Sequence, residues 1–181
     1  MSELRFRLYD AAALAPVVRQ MARQVLALAG ETPVVLLGLL RRGAPLADRL
    51  QQAMQAIDPS RSATRMDLMV KRYADNLSLL HPDTRLEAPV DAGDILRGRR
   101  VVVVDDVLYQ GYSLLRVCQW LRECNVAQVH TAVLVDRQCA RMPIRADIVG
   151  LALEVAPGDI IECNVPPYET DFAIDVWRPG T

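Results

Sequence analysis

The run Val101-Val102-Val103-Val104-Asp105-Asp106-Val107-Leu108-Tyr109-Gln110-Gly111-Tyr112-Ser113 constrains this chain more than any other stretch. Four consecutive β-branched residues predict a central strand buried on both faces, as in a parallel sheet. Two carboxylates stand where that strand ends. A turn at Gly111 follows, then an amphipathic run from Leu114 to Cys124. Strand, acidic pair, glycine turn and helix start together predict a site for a phosphorylated sugar in an open α/β sheet. Backbone N–H groups at the helix start hold the phosphate, and the carboxylates accept hydrogen bonds from neighbouring hydroxyls. The plain alternative is an Asp-Asp turn that closes a strand and binds nothing.

Some other uses of an apolar strand ending in acid are excluded. A Walker-type nucleotide site needs a Gly-rich loop ending in Gly-Lys-Ser/Thr. The only lysine is Lys71, and Val70 precedes it. A phosphoacceptor receiver domain needs its acidic pair on the first strand and a lysine on a late one. Here the pair lies past mid-chain with no lysine after it.

The order of residues resembles the ribose-phosphate-binding motif of the type I phosphoribosyltransferases, and more narrowly the PyrR family of pyrimidine-operon regulators and uracil phosphoribosyltransferases. That family's form is an apolar strand followed by Asp-Asp-Val-Leu-Tyr-Thr-Gly-Arg-Thr. Three more segments carry the resemblance. The run from Leu37 through Leu40-Arg41-Arg42-Gly43 to Ala47 is similar to the family's pyrophosphate loop and the helix after it. Tyr73-Ala74-Asp75-Asn76-Leu77-Ser78 resembles its Tyr-Arg-Asp-Asp-Leu-Ser. The run from Ala132 to Asp136-Arg137, then Pro143-Ile144-Arg145-Ala146-Asp147, matches its late strand and following segment. The resemblance implies an α/β type I phosphoribosyltransferase fold: a mainly parallel central sheet flanked by helices, with a small hood of short strands. It implies one domain over 1–181, with 72–93 as an active-site loop and 1–10 and 148–181 contributing to the hood.

With 181 residues the chain can bury one sizeable core. A net charge of −1 provides no global field toward nucleic acid or membrane. Cys118, Cys124, Cys139 and Cys163 lack paired metal spacing and read as reduced thiols. The first residues have no apolar signal core, and no apolar run reaches the roughly 20 residues of a membrane span, so a cytoplasmic protein is expected.

Along the chain, Asp10 is placed to cap a helix running to about Ala29, with Leu14, Val18, Met21, Val25 and Leu28 as its apolar stripe. Pro16 fits only near a first turn, which places the helix start later than Ala11. Val34 to Leu39 reads as a buried strand, Gly43 to about Ile57 as a helix stopped by Asp58-Pro59, and Ala63 to Lys71 as a strand. Residues 72–93 show no clean period and read as a mobile loop with room for a short hairpin. Val101–Val104, Ser113–Cys124 and Val129–Val135 read as a βαβ unit. Ile148 to Leu153, Ile160 to Val165 and Phe172 to Val176 read as small strands.

Phosphoribosyl transfer needs grips on the 5′-phosphate, the ribose hydroxyls, the leaving pyrophosphate and the base. By resemblance, Asp105 and Asp106 bind the ribose hydroxyls, serve catalysis and hold Mg²⁺ with phosphoribosyl pyrophosphate (PRPP). Val107, Leu108, Tyr109, Gln110, Gly111, Tyr112 and Ser113 wrap the 5′-phosphate. Gln110 and Tyr112 stand where the family has threonine and arginine. A charge-assisted hydrogen bond contributes about 1.5–3 kcal/mol, so these departures weaken phosphate binding by about one or two orders of magnitude. Leu40, Arg41, Arg42 and Gly43 bind pyrophosphate, with Leu40 where many members are polar or basic; the alternative is a solvated arginine pair capping a helix. Ala74 replaces the family's arginine, leaving Arg72 or Lys71 to compensate, and the loop from Tyr73 to Pro89 closes over the sugar. Asp136 and Arg137, with strands near Ile160 to Val165, face uracil, or Arg137 pairs with Asp136 or a loop acid instead. His81 and His130 read as surface or strand residues, and Trp120 and Trp177 as packing residues.

The implied reaction turns uracil and PRPP into UMP and pyrophosphate. Two alternatives stay open: a UMP-sensing regulator that binds pyrimidine-operon RNA, and a nucleotide-binding protein with weakened catalysis. The RNA reading needs a basic face, and Arg19, Arg23, Arg116, Arg122 and Arg141 form no obvious run. The resemblance also implies a homodimer or larger homo-oligomer, with no membrane partner.

Overall fold

The computed structural model describes residues 4–71 and 85–179. The segment Tyr73–Ser78 with Ala74, and also Arg72 and His81, lie outside the described residues. The first strand and helix are β1 (Leu4–Tyr9) and α1 (Ala11–Ala29). Then come β2 (Val34–Leu40), α2 (Gly43–Ile57), β3 (Ala63–Lys71), β4 (Arg85–Glu87) and α3 (Ala92–Leu96). The chain continues through β5 (Arg100–Leu108), α4 (Tyr112–Glu123), β6 (Gln128–Asp136), β7 (Ile148–Ala152), β8 (Ile160–Asn164) and β9 (Ala173–Arg178).

Six strands form the main sheet in the order β4-β3-β2-β5-β6-β7. All its pairings are parallel except β3 with β4. β5 lies inside the sheet, and its side chains alternate between two cores. Val102 and Val104 pack with Leu14, Met21, Leu46 and Leu50 of α1 and α2. Val101 and Val103 pack with Leu96, Leu114, Val117 and Leu121 of α3 and α4. Each valine is at most 1% exposed, and burying such a side chain contributes about 1.5–3 kcal/mol. This double burial fixes the register that delivers the two aspartates to the sheet's carboxyl edge. β5 itself runs on through them to Leu108, further than the Val101–Val104 strand expected from composition.

A separate antiparallel sheet has the order β1-β9-β8. Arg7 Nε donates to Asp175 at 3.0 Å, and Arg5 Nη2 donates to the same carboxylate at 3.1 Å. Asn164 donates to it at 2.8 Å, so one acid ties all three strands together. The expectation that 148–181 contributes to this hood is corrected at β7. That strand pairs parallel with β6 and extends the main sheet. Its Ile148 belongs to the core over α1.

Two details of α1 also differ from expectation. The helix begins at Ala11, with Asp10 accepting from the Ala13 N–H at 2.9 Å, and Pro16 lies inside it. Capping and the buried stripe outweigh the one hydrogen bond that proline cannot donate to the Ala12 carbonyl. Leu28 is exposed, while Ala22 and Ala29 complete the buried stripe. The described part of the expected loop, 85–93, carries β4, which pairs antiparallel with β3 as a short hairpin would, and the start of the short helix α3, whose Leu96 is fully buried. No helix among the described residues is long and apolar enough to cross a membrane.

Candidate functional site

The site is built at the carboxyl ends of β2, β5 and β6. Gly111 ends the β5 turn in the left-handed region at φ 85° and precedes α4. A Cβ there would stand 2.5 Å from Ile144 Cγ2, so both the backbone angle and the space demand glycine. No side chain caps α4 at Gly111. The first-turn N–H groups of a helix have no partners within it, so this end suits an anion. Asp105, Val107, Leu108, Tyr109, Gln110, Gly111, Tyr112, Ser113 and Leu114 line a cleft of about 160 Å³. The structure thus brings the predicted 107–113 residues and Asp105 together.

Asp105 and Asp106 are half-buried. Asp105 Oδ1 accepts the Asp106 N–H at 2.9 Å. Burial, reinforced by the neighbouring Asp106 charge, pushes the Asp105 carboxyl well above the ordinary carboxylate range. Burial also raises Asp106, against the opposing pull of the Arg42 guanidinium. Asp106 does not line the 160 Å³ cleft. Its carbonyl accepts from the buried Cys163 thiol of β8 at 3.9 Å, and burial holds that thiol well above its usual value.

The turn Leu40-Arg41-Arg42-Gly43 meets the acidic pair from the β2 side. A Cβ on Gly43 would overlap the Val104 carbonyl oxygen and come within 3.0 Å of Asp105 Cα. The two arginines are treated differently. Arg41 is exposed and its guanidinium lies 5.4 Å from the Tyr168 ring centroid. Arg42 donates from Nε and Nη2 to Glu169 Oε1 at 2.9 and 2.8 Å. Arg42 is therefore not the solvated cap the sequence left open. Leu40 ends β2 and is joined to Arg41 by a cis peptide bond.

Asp136 and Arg137 part company. Asp136 ends β6, accepts the Gln138 N–H at 2.7 Å and lines an adjoining cleft of about 880 Å³ with Leu108, Met142 and Arg145. Arg137 donates to the Asp159 carbonyl at 3.0 Å and stacks 4.6 Å from the Tyr109 ring centroid. Its Nε is buried without a partner among the described residues. Among the described residues, Arg137 thus forms no ion pair with Asp136 or with another carboxylate.

Sequence reading missed two contributors. Arg65 Nη1 donates to Leu36 O, and its Nη2 to Ala44 O, both at 3.0 Å, bracketing the turn between β2 and α2. Nothing in the sequence near Arg65 signals this. Arg19 and Arg23 of α1 and Arg49 of α2 line one groove of about 770 Å³. The four-residue spacing of Arg19 and Arg23 was the available signal, since it places both on one helix face.

Comparison with known proteins bears on the family and the fold. The phosphoribosyl transferase domain family matches residues 7–170. The bifunctional protein PyrR of Roseiflexus sp. is 36% identical over 148 residues, covering 81% of this chain and 79% of the relative. The bifunctional protein PyrR of Deinococcus deserti is 34% identical over 154 residues, covering 82% and 80%. A Trypanosoma cruzi hypoxanthine phosphoribosyltransferase in a ternary substrates complex superimposes with a TM-score of 0.76 at 20% identity, covering 96% of this chain and 95% of that one. A Staphylococcus aureus hypoxanthine phosphoribosyltransferase gives 0.71 at 15% identity, covering 86% and 80%.

Proposed function

The chain belongs to the phosphoribosyltransferases and, within them, to the PyrR family, and on that premise we propose that it converts uracil and PRPP to UMP and pyrophosphate in the cytoplasm. One observation carries the reading: Asp105 and the open first turn of α4 line the same small cleft. A phosphorylated ribose needs that pairing of hydroxyl acceptors with phosphate donors.

In the proposed reaction the uracil nitrogen attacks the anomeric carbon while the bond to the pyrophosphate oxygen breaks. The attacking nitrogen gives up its proton to the departing pyrophosphate or to solvent. The α4 first turn and Ser113 hold the 5′-phosphate. Arg41 and Arg42 hold the diphosphate. Asp105 and Asp106 accept from the ribose hydroxyls and set negative charge beside the developing oxocarbenium ion, so positioning and electrostatics supply most of the rate. Asp136, Arg137 and β8 face the base. Two adjacent half-buried acids, one pushed up by burial and further by the other's charge, also suit Mg²⁺, which binds through one or two carboxylates together with substrate phosphates. When bound, the ion supplies neutralisation of the diphosphate. A homodimer or larger homo-oligomer is part of the proposal.

Turnover of PRPP with uracil, cytosine, hypoxanthine and orotate tests the reading. Pyrophosphate release with uracil supports it, and release only with hypoxanthine contradicts it.

A second reading, an RNA-binding regulator responsive to UMP, is favoured by the groove holding Arg19, Arg23 and Arg49. These arginines pair with no carboxylate among the described residues, and Arg49 lies 4.3 Å from the Phe172 ring centroid. A gel shift with a pyrimidine-operon leader RNA, weakening steeply with salt and lost in Arg19→Gln/Arg23→Gln, supports this function.

A further inference from the structure

Two consecutive residues of the segment before β9 meet the two consecutive arginines of the β2–α2 turn. Tyr168 lies under Arg41, and Glu169 takes Arg42. The sheet that carries β8 and β9 is thereby fastened to the turn assigned to the diphosphate.

The Glu169 carboxylate is divided between two tasks. Oε1 receives both Arg42 donors, and Oε2 accepts the Val165 N–H at 2.8 Å. The Tyr168 N–H donates to Val165 O at 3.2 Å, closing the same short turn around the Pro166-Pro167 cis bond. The Arg42 and Glu169 side chains keep only 27% and 20% of their accessibility, so solvent does not screen this pair as it would a surface ion pair. Glu162 Oε1 lies 3.6 Å from the same Arg42 Nη2. Arg42 therefore cannot swing freely. Arg41, by contrast, has an aromatic face beneath it and feels the Glu169 charge, but forms no ion pair within 4 Å among the described residues.

We propose that Glu169 is a positioning residue for the diphosphate turn: it holds the Arg42 guanidinium in one orientation beside Asp106, so that the arginine pair meets the diphosphate already aimed. The inference rests on the reading that this turn grips the diphosphate. Burial raises the Glu169 carboxyl, but the Arg42 hydrogen bond and the Val165 N–H outweigh it and leave it lowered, so the residue is anionic at neutral pH. An oriented fork loses less freedom when a polyanion arrives than a loose one does.

The test is a double-mutant cycle on Glu169→Gln and Arg42→Gln, read by calorimetric binding of inorganic pyrophosphate and by KM for PRPP and for uracil. Glu169→Gln keeps the shape and an acceptor but removes the charge. It is expected to weaken pyrophosphate binding and raise KM for PRPP by about tenfold, with KM for uracil unchanged. In the Arg42→Gln background the same change is expected to have no further effect, because Glu169 acts through Arg42. Glu169→Asp, which keeps the charge but withdraws it by one methylene, is expected to fall between, and provides a second folded variant. Unchanged or tighter pyrophosphate binding by Glu169→Gln overturns the positioning role. Unchanged binding in an Arg41→Gln/Arg42→Gln variant overturns the underlying reading of the turn, so the two failures are read from different proteins.

Discussion

Gly43 and Val104 meet backbone to backbone, so closely that a Cβ on Gly43 would overlap the Val104 carbonyl oxygen. The first residue of α2 thus rests on the residue that precedes the acidic pair. That contact sets the distance between the turn assigned to the diphosphate and the carboxylates assigned to the ribose. Gly43→Ala is expected to push α2 away from β5, costing about 1–3 kcal/mol of stability. It is also expected to raise KM for PRPP. Urea unfolding and steady-state kinetics check the two effects.

Asp105 sets stability against function. Burial and the Asp106 charge raise its carboxyl well above the ordinary 3.8. Between about pH 4 and that raised value the folded protein holds a proton that the unfolded chain has released, so this group's contribution falls as pH rises. Asp105→Asn removes the opposition. The variant is expected to be more stable than the parent at pH 7 by about 1 kcal/mol, and the gap should be smaller at pH 5. Its turnover is expected to drop about a hundredfold or more. Urea midpoints of both proteins at the two pH values provide the check.

Asp175 has the opposite sign. Burial raises it, but hydrogen bonds from Arg7, Arg5 and Asn164 outweigh burial and hold it below 3.8. Its stabilising contribution is present above the unfolded value and is lost as pH falls through the lowered one. Asp175→Asn is expected to cost about 1–3 kcal/mol. It should loosen β1 first, because Arg5 and Arg7 lose their common partner. Faster amide exchange in Leu4–Tyr9 than in β5 would record it.

Tyr112 occupies the first position of α4, where the PyrR family carries arginine. Tyr112→Arg is expected to lower KM for PRPP by about tenfold, the worth of one charge-assisted hydrogen bond. Inorganic phosphate should then compete more strongly, and kinetics at graded phosphate concentrations would show it.

Much of this was legible in the sequence because it depends on local pattern. Gly43 opens α2 and Asp58-Pro59 closes it, and the observed bounds are those residues. Asp105 and the Gly111 turn are near in sequence, so their shared cleft follows from one strand and one bend. What escaped depends on distant neighbours. Glu169 reaches Arg42 across 127 positions, and no local pattern announces it. Arg49 joins Arg19 and Arg23 only because α1 and α2 pack side by side. Ile148–Ala152 was assigned to the hood because short apolar strands look alike, whichever sheet they enter. Pro16 misled for the opposite reason: a strong local rule yielded to the buried stripe around it.

The most direct test of the account follows PRPP by phosphorus NMR in the presence of Mg²⁺ and the protein, with and without uracil. The account predicts that pyrophosphate and the 5′-phosphate of UMP appear together only when uracil is added, and that Asp105→Asn/Asp106→Asn abolishes both. PRPP left intact by the parent protein in the presence of uracil would contradict it.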